Sequence, residues 1–211
     1  MAKASEAETE NNAAAVDSSD RLGLYITAVG AAVGIVIALI STVSRLAELA
    51  KGKDIPVLVP FSGEDVLLGI GPDGAQVTVG VNSGTILVND PAAATEFALW
   101  AQPIFIGVMV IAGLVVAAMF VLRLARGRAF DRGTSRLALI GAAVVTAGWF
   151  VNTILTNMVT NGSLAAVSDG DYESVTFSVS LLPVIAVFMI AAVGVALQIG
   201  ERLQRDNAGL V

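Results

Sequence analysis

The 211 residues include no Cys and no His. Disulfides, thiolate catalysis, thiolate or imidazole metal sites, haem ligation by either residue and Ser-His-Asp triads are therefore excluded. What remains able to do chemistry is a set of carboxylates, amides, hydroxyls and guanidiniums, and their spacing is informative in three places. Asp169-Gly170-Asp171-Tyr172-Glu173 sets three carboxylates two apart, as at the start of a calcium loop. The sixth position is Ser174 instead of Gly and the twelfth is Ser180 instead of Glu, so an acidic loop is the better reading. Asn152, Thr153, Thr156 and Asn157 place amides and hydroxyls at four-residue spacing, the spacing of one helix face. In an apolar helix such groups serve as interhelical glue, and a solute pathway would use them too. Pathways and proton relays usually add an ionisable residue, which this run lacks, so glue is favoured. Arg123, Arg126, Arg128, Arg132 and Arg136 form a basic cluster with Asp131 as its only acid. Such a cluster sets membrane topology, the favoured reading, or contacts anionic headgroups. No acid pair, nucleophile–base pair, phosphate loop or cofactor fingerprint is found, and no cofactor is expected.

The elements that must position these residues follow from composition. Hydrophobic residues make up 55% of the chain, charged residues 14%, and the mean hydropathy is +0.79. An ordinary soluble domain is about 25% charged, so a water-soluble globule is excluded. With 12 basic against 18 acidic residues the net charge is −6, which gives no global attraction to nucleic acid. Four runs, Leu22–Ser44, Ala98–Leu122, Leu137–Val159 and Thr176–Ile199, have no Asp, Glu, Lys or Arg and at least 23 residues each. At ~1.5 Å per residue each crosses a ~30 Å hydrocarbon core. One charge at mid-span would cost ~2.5–3.5 kcal/mol. The expected fold class is therefore an all-α integral membrane protein with four transmembrane helices, set at 21–46, 97–123, 137–159 and 176–199.

Residues 1–20 carry Glu6, Glu8, Glu10 and Asp17 in an Ala- and Asn-rich setting, which reads as a disordered acidic tail and not as a signal peptide. Four spans put both termini on one side. The loop 124–136 is Arg-rich, whereas the loop 160–175 carries Asp169, Asp171 and Glu173 and no base. The positive-inside rule places the Arg-rich loop, both tails and the segment 200–211 in the cytoplasm, with nine basic residues inside and three outside. Arg45, Lys51 and Lys53, close behind the first span, pull the other way. The preference for Arg over Lys with Ala/Gly/Val-rich spans suits a bacterial plasma membrane.

Residues 47–96 form the longest stretch outside the spans. Ile55–Val59, Val66–Ile70, the alternating Gln76–Val81 and Thr85–Val88 are strand-like, with turn signals at Gly71-Pro72-Asp73-Gly74 and Asn82-Ser83-Gly84. The expectation is a small extracytoplasmic β meander between helices 1 and 2. It is too small to hold a core alone and so rests on helix ends or on a neighbouring subunit. Asp90-Pro91 reads as an N-cap and first helical residue of the second helix, which Pro103 would kink. Trp100 and Tyr172 suit an outer aromatic belt and Tyr25 an inner one. Gly30-Ala31-Ala32-Val33-Gly34 matches a small-residue helix-packing motif, favoured here for packing within the chain, with a homo-oligomer as the alternative.

Arg126-Gly127-Arg128-Ala129-Phe130, continued from Asp131 to Leu137, resembles the Gly-x-x-Phe inner loop of an uncharacterised bacterial family of small four-pass inner-membrane proteins, a domain of unknown function. Gly200-Glu201-Arg202-Leu203-Gln204-Arg205-Asp206 is similar to the short charged terminal segment of the same family. The chain departs from that pattern at Asn207-Ala208-Gly209-Leu210-Val211, where the family closes on an acidic residue, Leu, Thr and a β-branched residue. Members are often encoded beside a small helix-turn-helix regulator, so the resemblance implies a membrane or regulatory protein partner. No catalytic residue comes with it.

The expected function is that of a non-enzymatic multi-pass protein acting as a sensor or accessory subunit, with the lipid bilayer as its first partner. The alternative is a subunit of a small-solute transporter or channel.

Overall fold

The computed structural model describes residues 18–128, 130–170, 177 and 179–208. The expected acidic tail up to Asp17, Asp171, Tyr172, Glu173 and the last three residues lie outside them. The order is α1 (Ser18–Leu49), β1 (Ile55–Leu68), a 3-10 turn (Pro72–Gly74), β2 (Val77–Val88), α2 (Ala93–Ala125), α3 (Arg132–Val167) and α4 (Leu182–Ala208). All four helices are long and apolar enough to cross a membrane, and no more than 11% of the most apolar stretch of any of them is buried inside the protein. Large apolar side chains such as Ile37 (61% exposed), Val108 (55%) and Phe188 (71%) face outward. So large an uncovered apolar surface is what lipid-facing helices present and what a water-soluble protein avoids. Hydroxyls on these helices satisfy themselves locally: Thr27 donates to the Gly23 carbonyl at 2.9 Å and Thr146 to that of Ala142 at 2.8 Å.

Helix ends depart from the apolar runs for identifiable reasons. α2 begins at Ala93, two residues later than an Asp90 cap would place it, and Asp90 itself takes a left-handed conformation (φ 49). The first i−4 bond at that end runs from Glu96 N–H to the Ala92 carbonyl. The helix runs unbroken through Pro103. α3 continues to Val167, eight residues past Val159, because Thr160 and Ser163 are buried by packing although their side chains are polar. α4 is helical from Leu182, with Pro183 in its first turn, where a missing N–H costs no helical bond.

The sheet corrects the expected meander. It is one two-stranded antiparallel hairpin, with Ile55 opposite Val88, Val57 opposite Ile86 and Val59 opposite Gly84, and with Glu64 to Leu68 opposite Val81 to Val77. Gly71–Gly74 makes the turn as expected, the Gly71 N–H donating to the Ala75 carbonyl at 2.9 Å, with Asp73 and Gly74 at φ 56 and 78. Asn82-Ser83-Gly84 is no turn. It lies within β2, and the irregularity falls opposite, between Pro60 and Glu64 of β1. Three residues there face one across the ladder, and Gly63 (φ 82) supplies the left-handed backbone that a bulge requires.

The chain divides into two compact units. One comprises the described residues up to Ile40, Gly107–Trp149 and the described residues from Leu181 on; the other comprises Ser41–Ile106 and 150–180. The second has a continuous core: Leu49 of α1, Ile55, Val57, Val59 and Val88 of the hairpin, Ala98 and Leu99 of α2, and Leu155, Val159 and Leu164 of α3.

Candidate functional site

In the unit containing the hairpin, the two strands behave differently along their length. In the proximal half, period-2 alternation holds. Val57 (3%) and Val59 (0%) face the helix ends while Leu58 between them is 69% exposed. Arg45 near the end of α1 pairs with Glu48 at 2.6 Å and donates to the Pro56 carbonyl at 2.8 Å, tying β1 to α1. At the mouth of the hairpin the Asp54 N–H donates to Asn89 Oδ1 at 2.8 Å, and Asn89 Nδ2 returns a bond to Asp54 Oδ1 at 3.3 Å. The expectation that this segment rests on helix ends is met within a single chain. Phe61 lies against Gly84, where a Cβ would come 2.8 Å from its ring. Sequence reasoning marked Gly84 as a turn residue; its role is to admit this ring.

Beyond the bulge alternation is lost on β1, while on β2 Val79 and Val81 remain half-buried between exposed neighbours. Val66 (41%), Leu67 (60%), Leu68 (40%), Ile70 (69%) and Val77 (41%) are all exposed, on both faces of the ribbon. The same arm carries Glu64, Asp65 and Asp73, and no Lys or Arg occurs between Lys53 and Arg123. Beside the hairpin base a cavity of about 440 Å³ is lined by Ile55, Asp90, Pro91, Glu96, Leu99 and Trp100 among others.

The polar patch of α3 lies in this unit as well. Thr156 accepts a 2.9 Å bond from Gln102 Nε2 of α2, a residue the sequence reading did not single out. The signal for it was an amide inside an otherwise uncharged span. Asn157 Nδ2 donates to the Thr153 carbonyl at 2.7 Å, so that four-residue pair closes through the backbone. Asn152 is half-buried, and its Oδ1, with Ser163 Oγ, has no hydrogen-bond partner among the described residues. Next to Ser163, Thr95 of α2 sits in the space that a Gly162 side chain would fill, which lets α2 and α3 approach closely. Asp169 takes φ 52 and the Gly170 N–H reaches back to the Ala165 carbonyl at 3.1 Å, so the Asp-Gly pair serves as the helix C-terminal cap. Among the described residues no three carboxylates converge.

In the other unit, the arginine-rich turn is built by two caps. α2 ends in a Schellman motif: Gly127 (φ 72) N–H bonds to the Leu124 carbonyl at 2.9 Å and Arg128 N–H to that of Arg123 at 2.9 Å. α3 then starts with the Thr134 N–H on the Asp131 carbonyl at 2.8 Å, and Thr134 Oγ1 donates to the Arg128 carbonyl at 2.7 Å. Arg123 folds over Gly133 and reaches Asp131 at 3.5 Å. Arg126 and Arg128 are exposed. Arg132 pairs with Glu201 of α4 at 3.2 Å, and Ser135 donates to the other oxygen of Glu201 at 3.4 Å. Phe130 rests on Gly200. The two short segments that carry the family resemblance therefore meet. Arg132, Ser135, Arg136, Gln198, Glu201 and Arg202 line a polar cavity of about 260 Å³. Gln198 brings an uncharged amide of α4 to this cavity. An apolar cleft of about 380 Å³ lies between α2, α3 and α4, with Gly113, Phe120, Leu137, Ala138, Gly141 and Met189 among its walls. Of the small-residue motif on α1, Gly34 packs on Leu114 of α2, where a Cβ would stand 3.0 Å from the Leu114 Cδ1, whereas Gly30 has nothing within 4 Å.

Comparison with known protein families, with curated proteins and with solved structures finds no match to this chain.

Proposed function

We propose that this is a non-enzymatic, four-span protein of a bacterial plasma membrane with both termini in the cytoplasm, acting as a sensor or accessory subunit through its hairpin arm, which docks an extended cationic segment of a partner protein outside the cell. The observation that carries this reading is the contrast between the two halves of one hairpin. The proximal half is locked into a core, whereas the distal half, Glu64–Val81, exposes apolar side chains on both faces and, among the described residues, leaves both edges unpaired. A two-stranded ribbon of this kind gains little by itself, and exposed apolar edges invite strand addition. Glu64, Asp65 and Asp73 select a basic occupant.

Two further observations support it. The conflict over orientation softens because Arg45 is engaged by Glu48 and the Pro56 carbonyl and so counts less as a free positive charge. The solute-pathway alternative is disfavoured because Thr156 is bonded to Gln102 and Asn157 to its own helix. By resemblance, the arginine turn would face a regulatory partner inside.

The test uses alternating Val-Lys and Val-Glu octapeptides with the purified chain and with a variant in which residues 64–81 are replaced by a short Gly-rich turn. The Val-Lys peptide is expected to bind the full chain in a salt-sensitive manner and not the armless one. Equal binding of both peptides, or binding that survives loss of the arm, refutes the reading.

A further inference from the structure

We infer that the arginine-lined cavity and the apolar cleft together form a site for one anionic phospholipid, its phosphate held by Arg136 and Arg202 and an acyl chain laid in the cleft. The inference rests on the reading that the helices span a bilayer but is independent of the hairpin arm.

The polar cavity holds three guanidiniums, from Arg132, Arg136 and Arg202, against one carboxylate. That carboxylate, Glu201, is committed: it accepts from Arg132 and from Ser135, and its side chain is only 15% exposed. Among the described residues Arg136 and Arg202 have no ion-pair partner. Two guanidiniums that open into one cavity repel each other unless an anion lies between them, and their planar donor forks suit phosphate oxygens. The cavity is at the first turn of α3, where the helix dipole adds positive potential.

The apolar cleft adjoins it in sequence on both helices. On α3 the headgroup residue Arg136 is followed directly by Leu137 and Ala138 of the cleft wall. On α4, Val193 of the cleft is five residues from Gln198 and nine from Arg202, or about 7 and 13 Å along the helix. Between them Gly194 packs against Ala138 and the Leu139 side chain, where a Cβ would stand 3.3 and 3.5 Å away, so α3 and α4 are in close contact along the wall the two cavities share. A cleft lined by Gly113 and Gly141 on facing helices is a slot for an unbranched chain, and its lining has almost no polar atoms.

A free phosphate would use the guanidiniums alone, whereas a lipid uses both cavities, and this separates the two sources. The experiment measures binding of phosphatidylglycerol, phosphatidylcholine and inorganic phosphate to the full chain in mild detergent, by native mass spectrometry and by the shift in thermal unfolding. Phosphatidylglycerol is expected to be retained and to raise the unfolding temperature, and the other two are not. Arg136→Gln with Arg202→Gln should weaken it about fivefold for each guanidinium lost. Gly113→Leu should displace it as well, because the new side chain enters the cleft where a Cβ meets nothing within 4 Å and so leaves the fold intact. Arg126→Gln and Arg128→Gln, on exposed positions of the same turn, should leave binding within twofold. The inference is overturned if those two variants weaken binding as much as the cavity pair. Inorganic phosphate binding as well as the lipid overturns it too, as does a Gly113→Leu chain that retains phosphatidylglycerol. None of these outcomes touches the hairpin arm.

Discussion

Val59→Ala and Leu58→Ala test the packing of the hairpin base with neighbouring residues of one strand. Val59 is fully buried, opposite Gly84 in the ladder and within the core formed with α1, α2 and α3, whereas Leu58 is 69% exposed. Removing two methyl groups from Val59 forfeits ~0.8 kcal/mol of transfer energy for each and leaves a cavity that the surrounding helix ends cannot fill, for a total of about 2–3 kcal/mol. Leu58→Ala removes three carbon atoms from a largely solvated side chain and should cost less than about 0.5 kcal/mol. Hydrogen exchange of the backbone amides in residues 55–60 and 83–88, read by mass spectrometry in mild detergent, reports local opening of this half of the hairpin. Val59→Ala should accelerate exchange there by about 30- to 150-fold, and Leu58→Ala by less than about threefold. Equal acceleration by the two substitutions, or none by either, would show that the strand does not present alternate faces to core and solvent and would remove the anchored-arm argument.

Three further outcomes are expected. A double-mutant cycle on Gln102→Leu and Thr156→Val should give a coupling of about 0.6–1.7 kcal/mol in thermal or SDS-induced unfolding, the range for interhelical bonds in membranes, with zero coupling refuting the 2.9 Å bond. Gly127→Ala should destabilise the chain by about 1 kcal/mol in the same unfolding assay, because φ 72 favours glycine in the cap that ends α2. Cys placed at Gln76, in the exposed end of the hairpin, should react with a membrane-impermeant maleimide on intact cells, and Cys at the exposed Arg126 should not; the reverse pattern inverts the topology.

The presence of four helices long and apolar enough to cross a membrane was legible because absence of charge over 23 or more residues is a property of the chain alone, whatever packs against it. The turn at Gly71–Gly74 was legible for the same reason: proline and glycine dictate local dihedrals. Asn82-Ser83-Gly84 carries the same kind of signal, yet it lies in a strand, because Phe61 across the ladder occupies the space above Gly84 and the irregularity moved to Gly63. Composition could not say which glycine would turn and which would admit a ring. The five arginines likewise formed one cluster on paper. Only tertiary contacts separate them. Arg123 is drawn over Gly133 to Asp131 and Arg132 to Glu201, 69 residues away, while Arg136 meets Arg202 in a cavity. Which charges are neutralised depends on which helix ends lie side by side, and that is decided by close approaches such as Phe130 on Gly200 and Gly194 on Ala138, which no local pattern records.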